Sequence, residues 1–184
     1  MDKKLLNKLP NIKVLALDCD GVMAPLSLDT GVIMDFEHAA QYHDRKFQYV
    51  IEMARFNHRD GQGIDLMKEA GIHVVVVTKQ RSGYVDARCF KLGIPCVKVN
   101  DKFAGLKNWL NENHPEIKME DVCYMGDDIN DIPVLKVVGF GATVADAAEE
   151  AKRVSVYITK RKGGDRAVRE VCDLILKARR EEHE

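Results

Sequence analysis

The sequence predicts an α/β fold, a Rossmann-like parallel sheet with helices on both faces. Three observations carry that expectation. Short β-branched runs alternate along the chain with segments of helical periodicity, the pattern of a parallel sheet wound by crossover helices. Most of the runs are apolar at consecutive positions, as in strands covered on both faces. The chain has 184 residues, 46% of them apolar, and no repeat, low-complexity tract or Gly/Ser-rich linker divides it. Residues 1–184 are therefore expected to form one domain. A chain of this size buries roughly 70% of its unfolded surface, enough for a core without metal or disulfide staples.

In chain order, the strand runs are Ile12–Leu17, Val74–Val77, Cys96–Val99, Val122–Met125, Val138–Ala142 and Ser155–Ile158. Helical patterns lie near 61–70, 82–92, 101–113, 128–136, 145–152 and 164–180. The last is the clearest, with Val168, Val171, Cys172, Ile175 and Leu176 on one face. Asp101 is placed to cap the helix that carries Leu106, Trp109 and Leu110. Residues 24 to about 58 break the rhythm, being too many for an ordinary βα loop of about 2–6 residues. They read as an insertion over the strand ends, a hairpin with helical parts.

Composition excludes several classes of function. The 28 Lys and Arg and 29 Asp and Glu leave a net charge of −1, which excludes nucleic-acid binding through a bulk positive field. No apolar run reaches about 18 residues, so no membrane span is expected. The opening MDKKLLNKLPNIK lacks a long apolar stretch and a small-residue cleavage site, so no secretory signal is expected. Cys19, Cys89, Cys96, Cys123 and Cys172 are scattered, with no CxxC pair. Unpaired thiols of this kind fit a reducing cytoplasm and argue against structural zinc.

Ligands of parallel sheets bind at the carboxyl ends of the strands, so the residues just after each run matter most. The first run ends in Leu17-Asp18-Cys19-Asp20-Gly21-Val22, the second in Thr78, and the fourth in Gly126-Asp127-Asp128-Ile129-Asn130-Asp131. Lys102 follows the third. Acids, a hydroxyl, a cation and more acids thus reach one rim. Unpaired buried carboxylates are costly, so the acidic cluster needs a counter-charge. Oxygen-only ligands suit a hard ion, Mg²⁺ before Ca²⁺. A lone DxD is more often a turn or cap, and acids at a helix start are favoured by its dipole. The four features in this order are what point to a site. His38 and His43 are five apart, poor spacing for one helix face, and no His falls in an HExxH pattern. Cys19, between the two acids, is expected to point into the core.

The DCDGV, Thr78, Lys102 and GDDIND series resembles the four motifs of the haloacid dehalogenase superfamily over nearly the whole chain. Residues 56–64 (FNHRDGQGI) and 163–172 (GGDRAVREVC) narrow the resemblance. They are similar to segments of the 3-deoxy-D-manno-octulosonate 8-phosphate phosphatases and the related nonulosonate 9-phosphate phosphatases, which have no large cap domain. The resemblance implies a Mg²⁺-dependent homotetrameric phosphatase in which Asp18 attacks phosphorus and Asp20 is general acid, then general base. It also implies that Asp18, Asp127 and the Asp20 carbonyl hold Mg²⁺, with Asp128 an alternative metal contact. Thr78 and Lys102 would hold the transferring oxygens, and Asp131 would support Lys102 or a metal-bound water. Asp20 favours phosphate-ester hydrolysis within the superfamily, since dehalogenases lack that acid and transport ATPases carry Thr there.

The resemblance places Asn57, Arg59, Gly61, Lys79, Gln80, Arg88 and Arg169 near a small acidic sugar phosphate of eight or nine carbons. This chain departs from the octulosonate phosphatases in an insertion after strand one longer than their usual short hairpin and in residue type at three places. Lys79-Gln80 stands for Gly-Arg after the motif-two Thr, Asp65 stands for an Arg, and Asp165-Arg166 stands for Arg-Gly. Lys79, Arg81 or a tail Arg such as Arg166 or Arg169 would compensate for the lost cations. Two other classes fit less well. A phospho-receiver domain is shorter and does not place DxD on strand one with GDDxxD on strand four. A non-catalytic scaffold associated with a sugar cytidylyltransferase would show degenerate acids.

Overall fold

The computed structural model describes residues 8–27, 29–34 and 48–182. A single turn of 3-10 helix at Leu9–Asn11 leads into β1 (Val14–Leu17), whose four residues are all buried. Next come β2 (Asp29–Met34) and β3 (Gln48–Met53), then α1 (His58–Glu69) and β4 (His73–Thr78). They are followed by α2 (Gly83–Leu92), β5 (Cys96–Lys98), α3 (Lys102–Asn113) and β6 (Val122–Met125). The chain ends with α4 (Ile132–Leu135), β7 (Phe140–Thr143), α5 (Glu149–Val154), β8 (Tyr157–Ile158) and α6 (Ala167–Glu182).

Six strands form one parallel sheet in the order β5-β4-β1-β6-β7-β8. The chain first winds outward from β1 through β4 to β5, then returns beside β1 and winds the other way. Right-handed crossovers place the helices of the two windings on opposite faces of the sheet. Accordingly α1 packs against α2, whereas α4 packs against both α3 and α5. The C-terminal α6 returns to cover α1 and the 3-10 turn at Leu9–Asn11. Its apolar stripe of Val168, Val171, Cys172 and Ile175 is fully buried, as its periodicity requires. Asp60 in α1 accepts from the amide of Arg169 at 2.8 Å, tying the first turns of the two helices together.

The α/β class holds, with differences at element ends that have local causes. α1 starts three residues before the expected 61, because Asn57 caps it by accepting from the Arg59 amide at 2.9 Å. The expected helix at 128–136 is a 3-10 turn, Ile129–Asp131, followed by the short α4. Asp128 and Asp131 form a reciprocal capping box that starts this turn. α5 begins at Glu149 rather than near 145, since the Ala148 amide is drawn to the Asp127 carbonyl at 2.8 Å. β7 begins at Phe140 because the Gly139 amide is bound to the Met119 carbonyl. Asp101 caps α3 as expected, accepting from Ala104 at 3.0 Å.

Within the insertion, β2 and β3 pair antiparallel from Asp29↔Met53 to Met34↔Gln48, the expected hairpin. Residues 35–47, where any helical part would fall, and with them His38 and His43, lie outside the described residues.

Candidate active site

The strand order reverses at β1, so the crevice at the carboxyl ends of β4, β1 and β6 is the expected binding position. Parallel register sets Leu17 level with Val76 and Met125. The Asp18 amide then bonds the Met125 carbonyl at 2.9 Å, which brings Asp18 beside the Gly126–Asp131 turn. A pocket of about 250 Å³ opens there, lined by Asp18, Asp20, Thr78, Lys102, Asp127 and Asp128, with Leu26, Lys79, Gln80 and Asn130. The rim inferred from strand ends is thus one physical site.

Its floor is an ion cluster. Lys102, at the start of α3, is 2% exposed, and its Nζ donates to Asp18 Oδ2 at 2.5 Å and Asp131 Oδ1 at 2.7 Å. A third donation goes to Asn130 Oδ1 at 3.1 Å. Burial works against the ammonium ion, but Asp18 and Asp131 outweigh it and hold the Lys102 pKa above its ordinary value. Asp18 Oδ1 accepts from the Cys19 amide at 2.7 Å, so both of its oxygens are oriented.

Asp131 is fully buried and serves as the bracket of the cluster. Besides Lys102 it accepts from the Tyr124 hydroxyl at 2.6 Å and from the amides of Asp127 and Asp128 at 3.0 and 3.1 Å. The expected role of anchoring Lys102 agrees with this geometry. Asp131→Ala would strand the Lys102 ammonium and the Tyr124 hydroxyl. Urea melts are expected to show a loss of about 3–5 kcal/mol, the range for breaking a buried ion pair from one side. A loss under about 1 kcal/mol, the range for an exposed ion pair, would contradict the bracket role.

Oxygens of Asp18, Asp127 and Asp131 lie within 4.8 Å of one another. Asp131 already accepts four hydrogen bonds, which leaves Asp18 and Asp127 as the carboxylates open to a cation. Burial raises the pKa of Asp18 to about 7, reinforced by Asp131 and opposed by Lys102. Burial also raises Asp127 to about 7, reinforced by Asp18 and Asp131. Three acids around one lysine are short of positive charge, and an all-oxygen set fits a hard divalent ion. Gly21 makes the approach possible. Its φ of 79° is left-handed, and a Cβ there would collide with the Asp127 carboxylate. Asp128 is exposed, and its carboxylate accepts from the Ile129 amide at 2.7 Å, so it caps the turn while lining the pocket.

Thr78 is 2% exposed, and its Oγ accepts from the Gln80 amide at 3.0 Å, which leaves its proton free to donate toward the pocket. Asp20 stands at the mouth, held by Gln80 and Tyr84. Cys19 is 1% exposed, and burial followed by the Asp20 and Asp18 charges keeps its pKa well above that of a free thiol. It is an inert core residue, as expected.

The other sequence-selected residues lie outside this pocket. Asn57 caps α1, and its carbonyl accepts from Arg88 at 3.4 Å. Arg88 is tucked between α1 and α2 with its guanidinium 4.9 Å from the Phe56 ring centre, and burial lowers its pKa. A Cβ on Gly61 would stand 3.2 Å from the Arg88 guanidinium, so Gly61 gives that side chain room. Arg59 and Arg169 line a separate hollow of about 590 Å³ together with Arg161 and Arg166. Sequence reasoning missed Tyr84, Tyr124, Asn130 and Thr143, whose hydroxyl donates to the Gly126 carbonyl at 2.7 Å. Tyr124 did carry a signal, because a tyrosine inside a buried strand must find a partner for its hydroxyl.

Residues 96–170 match the haloacid dehalogenase-like hydrolase family. The 3-deoxy-D-manno-octulosonate 8-phosphate phosphatase of Escherichia coli (strain K12) is 35% identical over 173 residues, 93% of this chain and 82% of that protein. The phosphatase of the same name from Salmonella typhi is 35% identical over 176 residues, 95% of this chain and 84% of the relative. Among solved structures, the Moraxella catarrhalis enzyme of that name, in complex with magnesium ion, phosphate ion and KDO, superposes with a TM-score of 0.82. It is 31% identical, and the match covers 98% of this chain and 95% of that one. The Yersinia pestis phosphatase gives the same TM-score at 32% identity, covering 100% of this chain and 90% of the other. With the acid cluster, the buried lysine and these relatives in agreement, the chain belongs to the 3-deoxy-D-manno-octulosonate 8-phosphate phosphatase family of haloacid dehalogenase-like hydrolases and is a phosphatase.

Proposed function

We propose that the protein hydrolyses a small acidic sugar phosphate, of the 2-keto-3-deoxy octulosonate or nonulosonate type, through an aspartyl-phosphate on Asp18 and with Mg²⁺ as cofactor. The observation that carries this reading is the orientation of Asp18, whose two oxygens are fixed by Lys102 and the Cys19 amide at the pocket floor. A carboxylate so held is a positioned nucleophile. In the first step an Asp18 oxygen bonds to phosphorus as the bond to the sugar oxygen breaks, and Asp20 delivers a proton to that oxygen. In the second, Asp20 takes a proton from water, whose oxygen attacks phosphorus and releases Asp18 and inorganic phosphate. Thr78 and Lys102 donate to the transferring oxygens, the main task a protein has in phosphoryl transfer. Asp18, Asp127 and the Asp20 carbonyl would hold Mg²⁺. The bound ion would neutralise the phosphate dianion beside the acids.

The substrate class is supported by the names of the relatives and by Lys79. That residue is exposed on the pocket wall, with no acidic partner among the described residues. It is the available cation for a sugar carboxylate. A homotetramer in the cytoplasm completes the reading. It is supported by the resemblance of the motifs.

A phosphate-release panel tests the proposal. The octulosonate 8-phosphate and a nonulosonate 9-phosphate are expected to exceed hexose phosphates and nucleoside monophosphates in kcat/KM by at least about tenfold. That is the discrimination a differential interaction of about 1.4 kcal/mol supplies. Lys79→Ala should raise KM for the acidic sugar phosphates while leaving hexose phosphates unchanged. Equal turnover across the panel, or equal losses in the variant, would defeat the acidic-sugar assignment.

A further inference from the structure

Asp20 is half-buried at the pocket mouth, where a carboxylate left to itself would rotate about two side-chain bonds. Here both oxygens are held. The Tyr84 hydroxyl donates to Oδ1 at 2.7 Å, and the Gln80 amide nitrogen donates to Oδ2 at 3.0 Å. The second amide hydrogen of Gln80 goes to the Tyr84 hydroxyl oxygen at 2.8 Å, closing a ring of three side chains. Gln80 Oε1 accepts from the backbone amides of Arg81 and Ser82 at 2.9 and 3.2 Å. Both donors and both lone pairs of the Gln80 amide are therefore used, and none remains for a ligand.

Rigid elements carry the two tethers. Gln80 lies two residues past β4 and Tyr84 in the first turn of α2. The Tyr84 ring packs against Phe56 with centroids 6.4 Å apart, and Phe56 in turn lies under the Arg88 guanidinium. Arg88 thus contacts Phe56, which packs on Tyr84, and does not line the pocket. An arginine at position 80 could donate to Asp20 but could not accept from the Arg81 and Ser82 amides, since a guanidinium has no acceptor. The exchange of arginine for Gln80 therefore does more than remove a cation.

We propose that Gln80 and Tyr84 are positioning residues that hold the Asp20 carboxyl group toward the leaving oxygen for proton transfer. This rests on the reading of Asp20 as general acid, and the test separates the two. The comparison is of kcat/KM for 3-deoxy-D-manno-octulosonate 8-phosphate, whose alkoxide must be protonated, and for 4-nitrophenyl phosphate, whose phenolate leaves without a proton. Because kcat/KM reports only the steps through formation of the aspartyl-phosphate, the later use of Asp20 as a base does not enter. Tyr84→Phe and Gln80→Met should each lower the sugar phosphate value about tenfold, mainly in kcat, part of the roughly 10²–10⁴-fold that a positioned acid supplies. They should change the aryl ester by less than about twofold, and the double variant should approach Asp20→Asn on the sugar phosphate.

If Asp20→Asn itself loses equally on both esters, the general-acid reading fails and the proposal with it. If Asp20→Asn is selective for the sugar ester while Tyr84→Phe and Gln80→Met lose nothing, or lose equally on both, positioning alone is overturned. Tyr84→Phe keeps the ring that packs on Phe56, and circular dichroism identifies a variant that fails to fold. The other variant then decides.

Discussion

Asp18→Asn is expected to bring phosphate release down to background, a fall of about 10⁴–10⁶-fold, the scale seen when a nucleophile is removed from a catalytic unit. The amide keeps an oxygen that can accept from the Cys19 amide, so the turn after β1 should stay in place. What it loses is the charge that makes the side chain a nucleophile. The loss should therefore be chemical rather than structural. The amide nitrogen then faces the Lys102 ammonium, which keeps Asp131 and Asn130 as acceptors, so the variant should stay folded. Circular dichroism and phosphate release on the same preparation check both halves. A variant with more than about a tenth of parental turnover would overturn the assignment of Asp18 as nucleophile.

Chelation should abolish turnover too, and it should make stability depend on pH in a defined direction. Asp18 and Asp127 have pKa values near 7 in the fold, against an ordinary value of 3.8, chiefly because they are buried. The folded chain thus holds protons that the unfolded chain releases between about pH 4 and 7. With excess chelator, the stabilisation is fully present below about pH 4 and is lost as pH rises through 7. For either group alone it amounts to about 4 kcal/mol at most. The two losses do not add, because Asp18 helps to raise Asp127. A divalent cation favours the ionised pair, so millimolar Mg²⁺ should raise the melting temperature more at pH 8 than at pH 5. Calorimetry across this range decides. Undiminished turnover in chelator would remove the metal from the reading. A chelated protein that becomes more stable from pH 5 to 8 would contradict the raised pKa values of Asp18 and Asp127.

The parts of the site legible in the sequence are those whose residue type conflicts with their surroundings. Asp18 directly follows the apolar stretch Val14–Leu17, and Asp127 stands one glycine past Val122–Met125, and that contrast marks them. Lys102 was legible through its place after the third run, and Asp131 as the last acid of the GDDIND segment. Tyr84 was not legible. Its hydroxyl meets Asp20 across 64 residues of sequence, and nothing in the local pattern of α2 distinguishes it from a packing aromatic. Arg88 gains its surroundings only from the tertiary structure. Its neighbours Phe56, Asn57 and Gly61 come from the segment that starts α1, which nothing local to α2 announces.

By itself the sequence determined the parallel α/β architecture, the strand-end placement of the acids and the chemistry class they imply. Those properties follow from hydrophobic periodicity and from the cost of burying charge, both of which act within a few residues. Tertiary structure alone decided which groups each side chain serves. It gave Asp131 to Lys102, Tyr124 and two backbone amides, closed the ring of Asp20, Gln80 and Tyr84, and set Arg59 and Arg169 apart from the acid pocket. Hydrogen bonds are short and directional. Their partners are chosen by which strand ends and helix starts the sheet order brings together, and strands β4, β1 and β6 meet only once the chain has wound back across the sheet.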